Sequence, residues 1–212
     1  FRRAVRRLSH SGQALHAAGC YARNAMKNFT ISFLGRDCPG VVAAVSRTIG
    51  ESGCNIMQLS QTILSGEFAA IYIVQAPDTL DPEALRRSLA VTLEAENMDM
   101  SVLVRPATES AWGKGEVCQP FVVTADGPDH PGEIAAMSRV FARHNVNIES
   151  LKAVLGEGGG NHALFVFEVM VPDRVDLGRL RRELIKEGSL HNLRVGVQHR
   201  DIFEAMHRIG GV

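Results

Sequence analysis

The sequence predicts an α+β protein built from two successive copies of one small domain, each with the element order β-α-β-β-α-β. Residues 29–59 recur without a gap as residues 121–151, and twelve of the thirty-one aligned positions are identical, which indicates duplication. In each copy, segments with strand periodicity and segments with helical periodicity follow one another in that same order. The order is typical of a ferredoxin-like fold, in which two helices cover one face of a four-stranded antiparallel sheet.

The first strand and first helix of each copy follow from the spacing of apolar residues. Alternating apolar residues over 28–34 predict a half-buried strand. The next helix is expected to have Pro39 in its first turn and Asp37 as its cap, and to stop at Ser52-Gly53. Its predicted apolar positions are Val42, Val45 and Ile49, with Ile134, Met137 and Phe141 as their counterparts in the second copy.

The rest of each copy is expected to be a hairpin, a second helix and a closing strand. The hairpin turns at Ser65-Gly66, and the matching turn of the second copy, at 156–161, is longer. Asp81 is expected to cap the second helix, with Pro82 in its first turn. The expected elements are strands at 55–64, 67–75 and 100–104 and a helix at 81–96, then a helix at 175–187 and a strand at 193–197 in the second copy.

These elements divide the chain into an N-terminal extension, two domains, a linker and a tail. The extension has five arginines and no acidic residue, so it is either a mitochondrial-type targeting segment or an extension before a natural start at Met26. Trp112 is expected to hold the linker against a domain, and the tail to add one or two amphipathic turns. The predicted parts are 1–25, 26–105 (first domain), 106–118 (linker), 119–200 (second domain) and 201–212.

Charge and composition argue against several classes of protein. Outside residues 1–25 there are 18 basic and 23 acidic residues, and a net charge of about −5 disfavours direct binding to nucleic acid. No apolar run approaches the roughly 18 residues of a membrane span. The cysteines form no C-x-x-C pair or zinc-site spacing, so reduced thiols in the cytoplasm are expected and no metal. No nucleophile elbow, carboxylate pair or phosphate loop appears, which predicts a protein without catalytic residues or a cofactor.

The most tightly repeated residues form two short motifs. The first is a turn, D-x-P-G, and the second is an Asn-Ile pair that begins sixteen positions after the proline of that turn. We call this pair the Asn-Ile step. A helix N-terminus at this turn suits a carboxylate, because its N–H groups are unpaired. Asp37 or Asp129 can pair with an ammonium group, and the amide of Asn55 or Asn147 can donate and accept hydrogen bonds. Together these groups outline a site for a free amino acid.

Each of these residues also has a purely structural interpretation. Asp37 and Asp129 can be helix caps, and an asparagine can simply follow a helix stop into a strand. Cys38 and His130 occupy the same loop position with different chemistry, as ordinary loop residues often do. The repeated Ser-Arg pair on the first helix is expected to face solvent or to mark a subunit contact.

The turn, the step to Asn-Ile and the element order together resemble the ACT domain, a regulatory module that binds amino acids, over nearly all of residues 28–200. The resemblance implies that small ligands lie where the first loop meets a neighbouring domain's strands, and that such domains pair edge to edge. By motif position, with the loop residues before proline included, the candidate ligand contacts are Asp37, Cys38, Gly40, Asn55, Ile56, Asp129, His130, Gly132, Asn147 and Ile148.

Two such copies without an attached enzyme, the string SGCNIMQLSQTILSGEFAAIYIV and a tryptophan in the linker resemble, more narrowly, the glycine cleavage system transcriptional repressor family. That resemblance implies a homo-oligomeric sensor of glycine or a similar amino acid, which acts through a DNA-binding activator. The alternative is a regulatory ACT module of an enzyme of amino-acid or one-carbon metabolism. An RNA-recognition module is disfavoured, because the third strands lack the Lys/Arg-Gly-aromatic pattern.

Overall fold

The computed structural model describes residues 26–108, 112–156 and 161–209, and the described residues form two compact units divided between Thr108 and Glu109. The predictions for the N-terminal extension and for most of the long turn of the second copy lie outside the described residues. No helix in the described ranges is long and apolar enough to cross a membrane.

The first unit is one four-stranded antiparallel sheet with two helices. Its elements are β1 (Met26–Arg36), α1 (Val41–Glu51), β2 (Asn55–Leu64), β3 (Glu67–Pro77), α2 (Pro82–Ala95) and β4 (Met100–Pro106). The strand order is β2-β3-β1-β4, so β1 and β3 are central and β2 and β4 are edges. Ser65 and Gly66 both have positive φ, which closes the hairpin between β2 and β3 as the sequence predicts.

The second unit repeats this arrangement with strand order β6-β7-β5-β8. Its elements are β5 (Cys118–Gly127), α3 (Glu133–Arg143), β6 (Asn147–Leu155), β7 (Ala163–Pro172), α4 (Leu177–Leu190), β8 (Arg194–His199) and α5 (Arg200–Ile209). The predicted α+β fold, two tandem ferredoxin-like domains, is therefore confirmed. The segment expected to add one or two turns forms a ten-residue helix, α5, beside β5 and β8.

Each unit buries its own core between one sheet face and two helices. In the first unit, alternate residues of β1 and β3 point into the helices, and α2 contributes a leucine every four residues. Removal of this apolar surface from water is the main stabilising contribution. Core residues of the first unit include Phe29, Ile31, Phe33, Val45, Ile49, Tyr72, Val74, Leu85, Leu89 and Leu93.

Of the two predicted helix caps, the one at Asp81 is present and the one at Asp37 is not. Asp81 accepts a hydrogen bond from the N–H of Ala84 at 3.2 Å and begins α2, as predicted. The prediction that Asp37 caps the first helix is wrong, because α1 begins at Val41 after Gly40, whose φ is 100°, and no side chain caps it. Pro39 and Gly40 form a turn before the helix, and the third position of such a turn requires the positive φ that glycine allows.

The buried face of the first helix also differs from the predicted one. Val42 and its counterpart Ile134 are 36% and 38% exposed. Because the helix begins at Val41, that residue starts the buried stripe, and Val42 lies about 100° away around the helix. The buried positions of α1 are Val41, Ala44, Val45, Thr48 and Ile49.

The linker tryptophan contacts the second unit. Its Nε1–H donates a hydrogen bond to the backbone oxygen of Asn145 at 3.1 Å, just after α3. Because Trp112 is the only tryptophan of the chain, its fluorescence reports on this unit.

Candidate functional site

Several identities of the repeat are demanded by the fold. A Cβ on Gly35 would lie 2.1 Å from a backbone oxygen just before β4, and one on Gly127 would lie 2.6 Å from a backbone oxygen just before β8. Gly40 and Gly132 precede helices with φ of 100° and 98°, where an L side chain is strained. These four glycines are therefore explained without a ligand.

The repeated arginine on the first helix also has a structural role. Arg47 pairs with Glu96 at the end of α2, and Arg139 lies 3.9 Å from Glu187 on α4. Both ion pairs tie the two helices of one domain together, although exposed pairs of this kind contribute little to stability. The expectation that these arginines mark a subunit contact is not needed to explain them.

Two repeated polar pairs make few side-chain contacts among the described residues; the amide nitrogen of Asn55 donates to the Met57 sulfur at 3.4 Å. The carboxyl groups of Asp37 and Asp129 are exposed and have no polar partner within the described ranges. Asn55 and Asn147 are exposed at the first positions of β2 and β6. The contacts among the described residues do not account for these identities as they do for the glycines and arginines.

The loop and the Asn-Ile step lie at opposite ends of each domain. Asp37 follows the last residue of β1, and its N–H donates to the oxygen of Gly66 at 2.9 Å. Asn55 pairs with Gln75, which pairs with Asn28 near the start of β1. Along β1, eight residues, or roughly 27 Å of extended chain, separate the position level with Asn55 from the position next to Asp37. The structure therefore does not bring the predicted contacts of one domain together.

The second domain has the same separation. Asn147 pairs with Met170, which pairs with Pro120 near the start of β5, whereas Asp129 lies beyond the end of that strand. Ile148, like its counterpart Ile56, is half-buried against its domain's core. Packing accounts for that part of the Asn-Ile step.

A cleft of about 470 Å³ brings together three predicted residues of the first domain: Asp37, Cys38 and Gly40. Its walls come from the loop, the first turns of α1, the edge strand β2 and the start of β3, and sequence reasoning missed the contributions of Gln61 and Phe68. The complete lining is Asp37, Cys38, Gly40, Val41, Val42, Ala43, Ser46, Gln61 and Phe68. Another cleft, of about 360 Å³ in the second domain, contains none of the predicted residues.

The first domain buries a tyrosine hydroxyl near this cleft. Burial raises the pKa of Tyr72, and the hydroxyl of Ser46, which lines the cleft, offsets part of that rise. No partner within ordinary hydrogen-bond geometry is present for the Tyr72 oxygen among the described residues. The only hint of this contact in the sequence is that the serine is repeated, as Ser46 and Ser138. Burial likewise raises the pKa of the Cys54 thiol, which packs in the core.

The second loop has an ionisable side chain, Glu133, at a position where the first has an apolar one. Glu133, the first residue of α3, is only 1% exposed, and His130 Nδ1 lies 3.7 Å from its Oε1. Neither carboxyl oxygen has a hydrogen-bond partner among the described residues. The equivalent residue of the first domain is Val41, also buried. Sequence reasoning missed this difference. In the sequence it is visible only as Val41 in one copy and Glu133 in the other, each after the same repeated glycine.

Comparison with known proteins decides the family. The ACT domain family model matches residues 27–103. A UPF0237 protein from Methanopyrus kandleri is 41% identical over 92 residues, which cover 96% of that protein and 42% of this chain. The chain belongs to the ACT-domain family. Because its two units share one topology and a repeated sequence, we describe both as ACT domains.

Solved structures share the tandem fold. A protein of unknown function from Galdieria sulphuraria has a TM-score of 0.68 at 20% identity, with 82% of this chain and 99% of that chain covered. A candidate glycine cleavage system transcriptional repressor has a TM-score of 0.58 at 17% identity, with coverage of 82% and 96%. At these identities the likeness is one of fold.

No group of three or more His, Cys, Asp or Glu side chains that could hold a metal ion occurs within 26–108, 112–156 and 161–209.

Proposed function

We propose that this chain is a non-catalytic regulatory protein that senses glycine or a similar small amino acid and controls transcription through a DNA-binding partner protein. The observation that carries the proposal is the pair of repeated polar residues, Asp37/Asp129 and Asn55/Asn147, which are exposed in both copies. Membership of the ACT family, whose resemblance implies amino-acid binding, supports the same ligand class.

The chemistry of the loop suits an amino acid. The N-terminus of α1 follows Gly40 without a capping side chain, so its free N–H groups can receive the ligand carboxylate. Asp37 lies in the same cleft and can pair with the ligand ammonium. The absence of a side chain at Gly40 lets a ligand approach the backbone.

A second copy of the chain completes the site in this proposal. Because Asp37 and Asn55 are at opposite ends of their own domain, one ligand can touch both types of residue only if a different domain supplies the asparagine, and the proposal assigns that domain to a second copy. The edge strand β2 favours such pairing, because Met57, Leu59 and Ile63 are exposed along it and an open apolar edge tends to acquire a partner. The expected assembly is a homo-oligomer.

The transcriptional role rests on charge and on one neighbour in fold. The chain outside residues 1–25 has a net charge of about −5, which is unfavourable for contact with phosphates, so a partner is required to reach DNA. The candidate repressor of the glycine cleavage system shares the tandem fold. Dispersed cysteines, with Cys54 buried and free, agree with a reducing, cytoplasmic setting.

Titration calorimetry of the full chain with glycine, serine and alanine tests the ligand. We expect saturable heat for at least one of them, and a tenfold or greater loss of affinity in the double variant Asp37→Asn/Asp129→Asn. Glu51→Gln is the matched control, because it removes an exposed carboxylate at the far end of α1. Absence of heat with all three amino acids would contradict the proposal, as would equal affinity in the double variant.

A further inference from the structure

The buried carboxyl group of Glu133 is the least explained polar group of the second ACT domain. Both of its oxygens are buried without a hydrogen-bond partner among the described residues, at the first position of α3. Burying an ionisable group in this way is unfavourable. Among the described residues its recorded ionisable neighbour is His130, whose Nδ1 lies 3.7 Å from Oε1 and whose side chain is 54% exposed.

The fold does not require this carboxyl group. In the first ACT domain Val41 occupies the equivalent position, is equally buried and begins a helix of the same length after a glycine of the same conformation. The carboxyl group is therefore neither a cap nor a core-filling group that the architecture needs. Buried charges usually have an ion partner, and unfavourable buried groups concentrate at binding sites.

We propose that Glu133 joins Asp129 in binding the ammonium group of the ligand in the second ACT loop, an inference that rests on the proposed amino-acid binding. The loop then combines two complementary ends: free N–H groups at the start of α3 for the carboxylate, and Glu133 for the ammonium. His130 lies next to Glu133 in the structure and is displaced from it when the ammonium enters. The first loop, with Val41, has only exposed Asp37 for that group.

The two loops consequently differ in selectivity. The second loop requires a ligand with a positive charge next to its carboxylate, because an uncharged analogue leaves the buried carboxyl group unpaired. The first loop discriminates less strongly, since an exposed carboxylate keeps its hydration when the ligand lacks a charge. Glycine and glycolate, which differ in ammonium against hydroxyl, are the matched probes.

Nuclear magnetic resonance of the full chain can follow each loop separately, through the amides of the equivalent glycines Gly40 and Gly132. In the wild type we expect glycine to titrate Gly132 at least tenfold more tightly than glycolate does. Glu133→Gln is expected to weaken the glycine titration at Gly132 tenfold or more and to leave that at Gly40 unchanged. Glu187→Gln, which removes a carboxylate of α4 that pairs with Arg139, is expected to change neither by more than about twofold.

Each outcome decides between the two proposals. If Gly132 titrates equally in the wild type and in Glu133→Gln, the role of Glu133 is wrong while amino-acid binding stands. If glycine shifts the Gly40 amide but not the Gly132 amide of the wild type, the role of Glu133 is likewise wrong and amino-acid binding stands. If neither glycine responds to any amino acid, both proposals are wrong. Glu133→Val, which installs the first domain's residue, supplies a second folded variant should the glutamine variant not fold.

Discussion

Replacing Glu133 with valine should stabilise the second ACT domain. An unpaired buried polar group costs about 1–3 kcal/mol, and Glu133 has two such oxygens with no partner among the described residues. The extra apolar group of valine adds about 0.8 kcal/mol, and the smaller side chain leaves a void that costs about 1 kcal/mol. The net gain is about 2 kcal/mol, or about 8–16 °C in Tm for a domain of this size.

Tryptophan fluorescence provides a specific assay for this gain. Trp112 is the only tryptophan and donates to Asn145 of the second unit, so urea unfolding followed by its fluorescence reports the free energy of unfolding of that unit. The converse variant, Val41→Glu, should destabilise the first domain by about 3 kcal/mol, measured by scanning calorimetry. If Glu133→Val leaves the midpoint unchanged or lowers it, Glu133 is paired in solution and the reasoning fails.

Three further predictions concern the first domain and its repeat. Gly40→Ala and Gly132→Ala should each cost about 1 kcal/mol in urea unfolding, because both positions have φ near 100°; stability equal to the wild type would refute this. Asp81→Ala should cost about 1 kcal/mol through loss of the α2 cap, and an unchanged urea midpoint would show that the cap is unimportant. Burial raises the pKa of Tyr72 above its usual 10.0, so the stability that this group contributes is complete below pH 10 and is lost as the pH rises through the raised pKa. Tyr72→Phe should therefore reduce the loss of stability at alkaline pH, and the loss that remains is the part due to Cys54, whose pKa is also raised. If the calorimetric Tm of the variant falls with rising pH as steeply as that of the wild type, the prediction is wrong.

Local sequence signals predicted the fold where one interaction dominates. Asp81 before Pro82 has few alternatives to a helix cap, and the alternation along β1 allows one buried face only. The start of α1 was mispredicted because the sequence Asp-Cys-Pro-Gly at 37–40 is compatible both with an aspartate cap and with a Pro-Gly turn before the helix. The choice depends on the backbone of Gly40, whose φ is 100°.

The candidate site was harder to predict, because its chemistry depends on burial. The D-x-P-G turn identified the loops, yet nothing in the sequence shows that Glu133 is buried or that His130 is exposed beside it. Gln61 and Phe68 reach the first cleft through strand pairing, which a single sequence does not specify. Gly35 and Gly127 are identical in the two copies, but the reason, a close approach of the backbone at each, is visible only in the fold.

The most direct test of the central claim is equilibrium dialysis of the full chain against radiolabelled glycine, with serine and alanine as competitors. The account predicts saturable retention that unlabelled small amino acids displace, loss of that retention in Asp37→Asn/Asp129→Asn, and recovery of the label as unchanged amino acid, since a sensor binds without catalysis. Absence of retention of all three amino acids, or conversion of the label to a product, would contradict it.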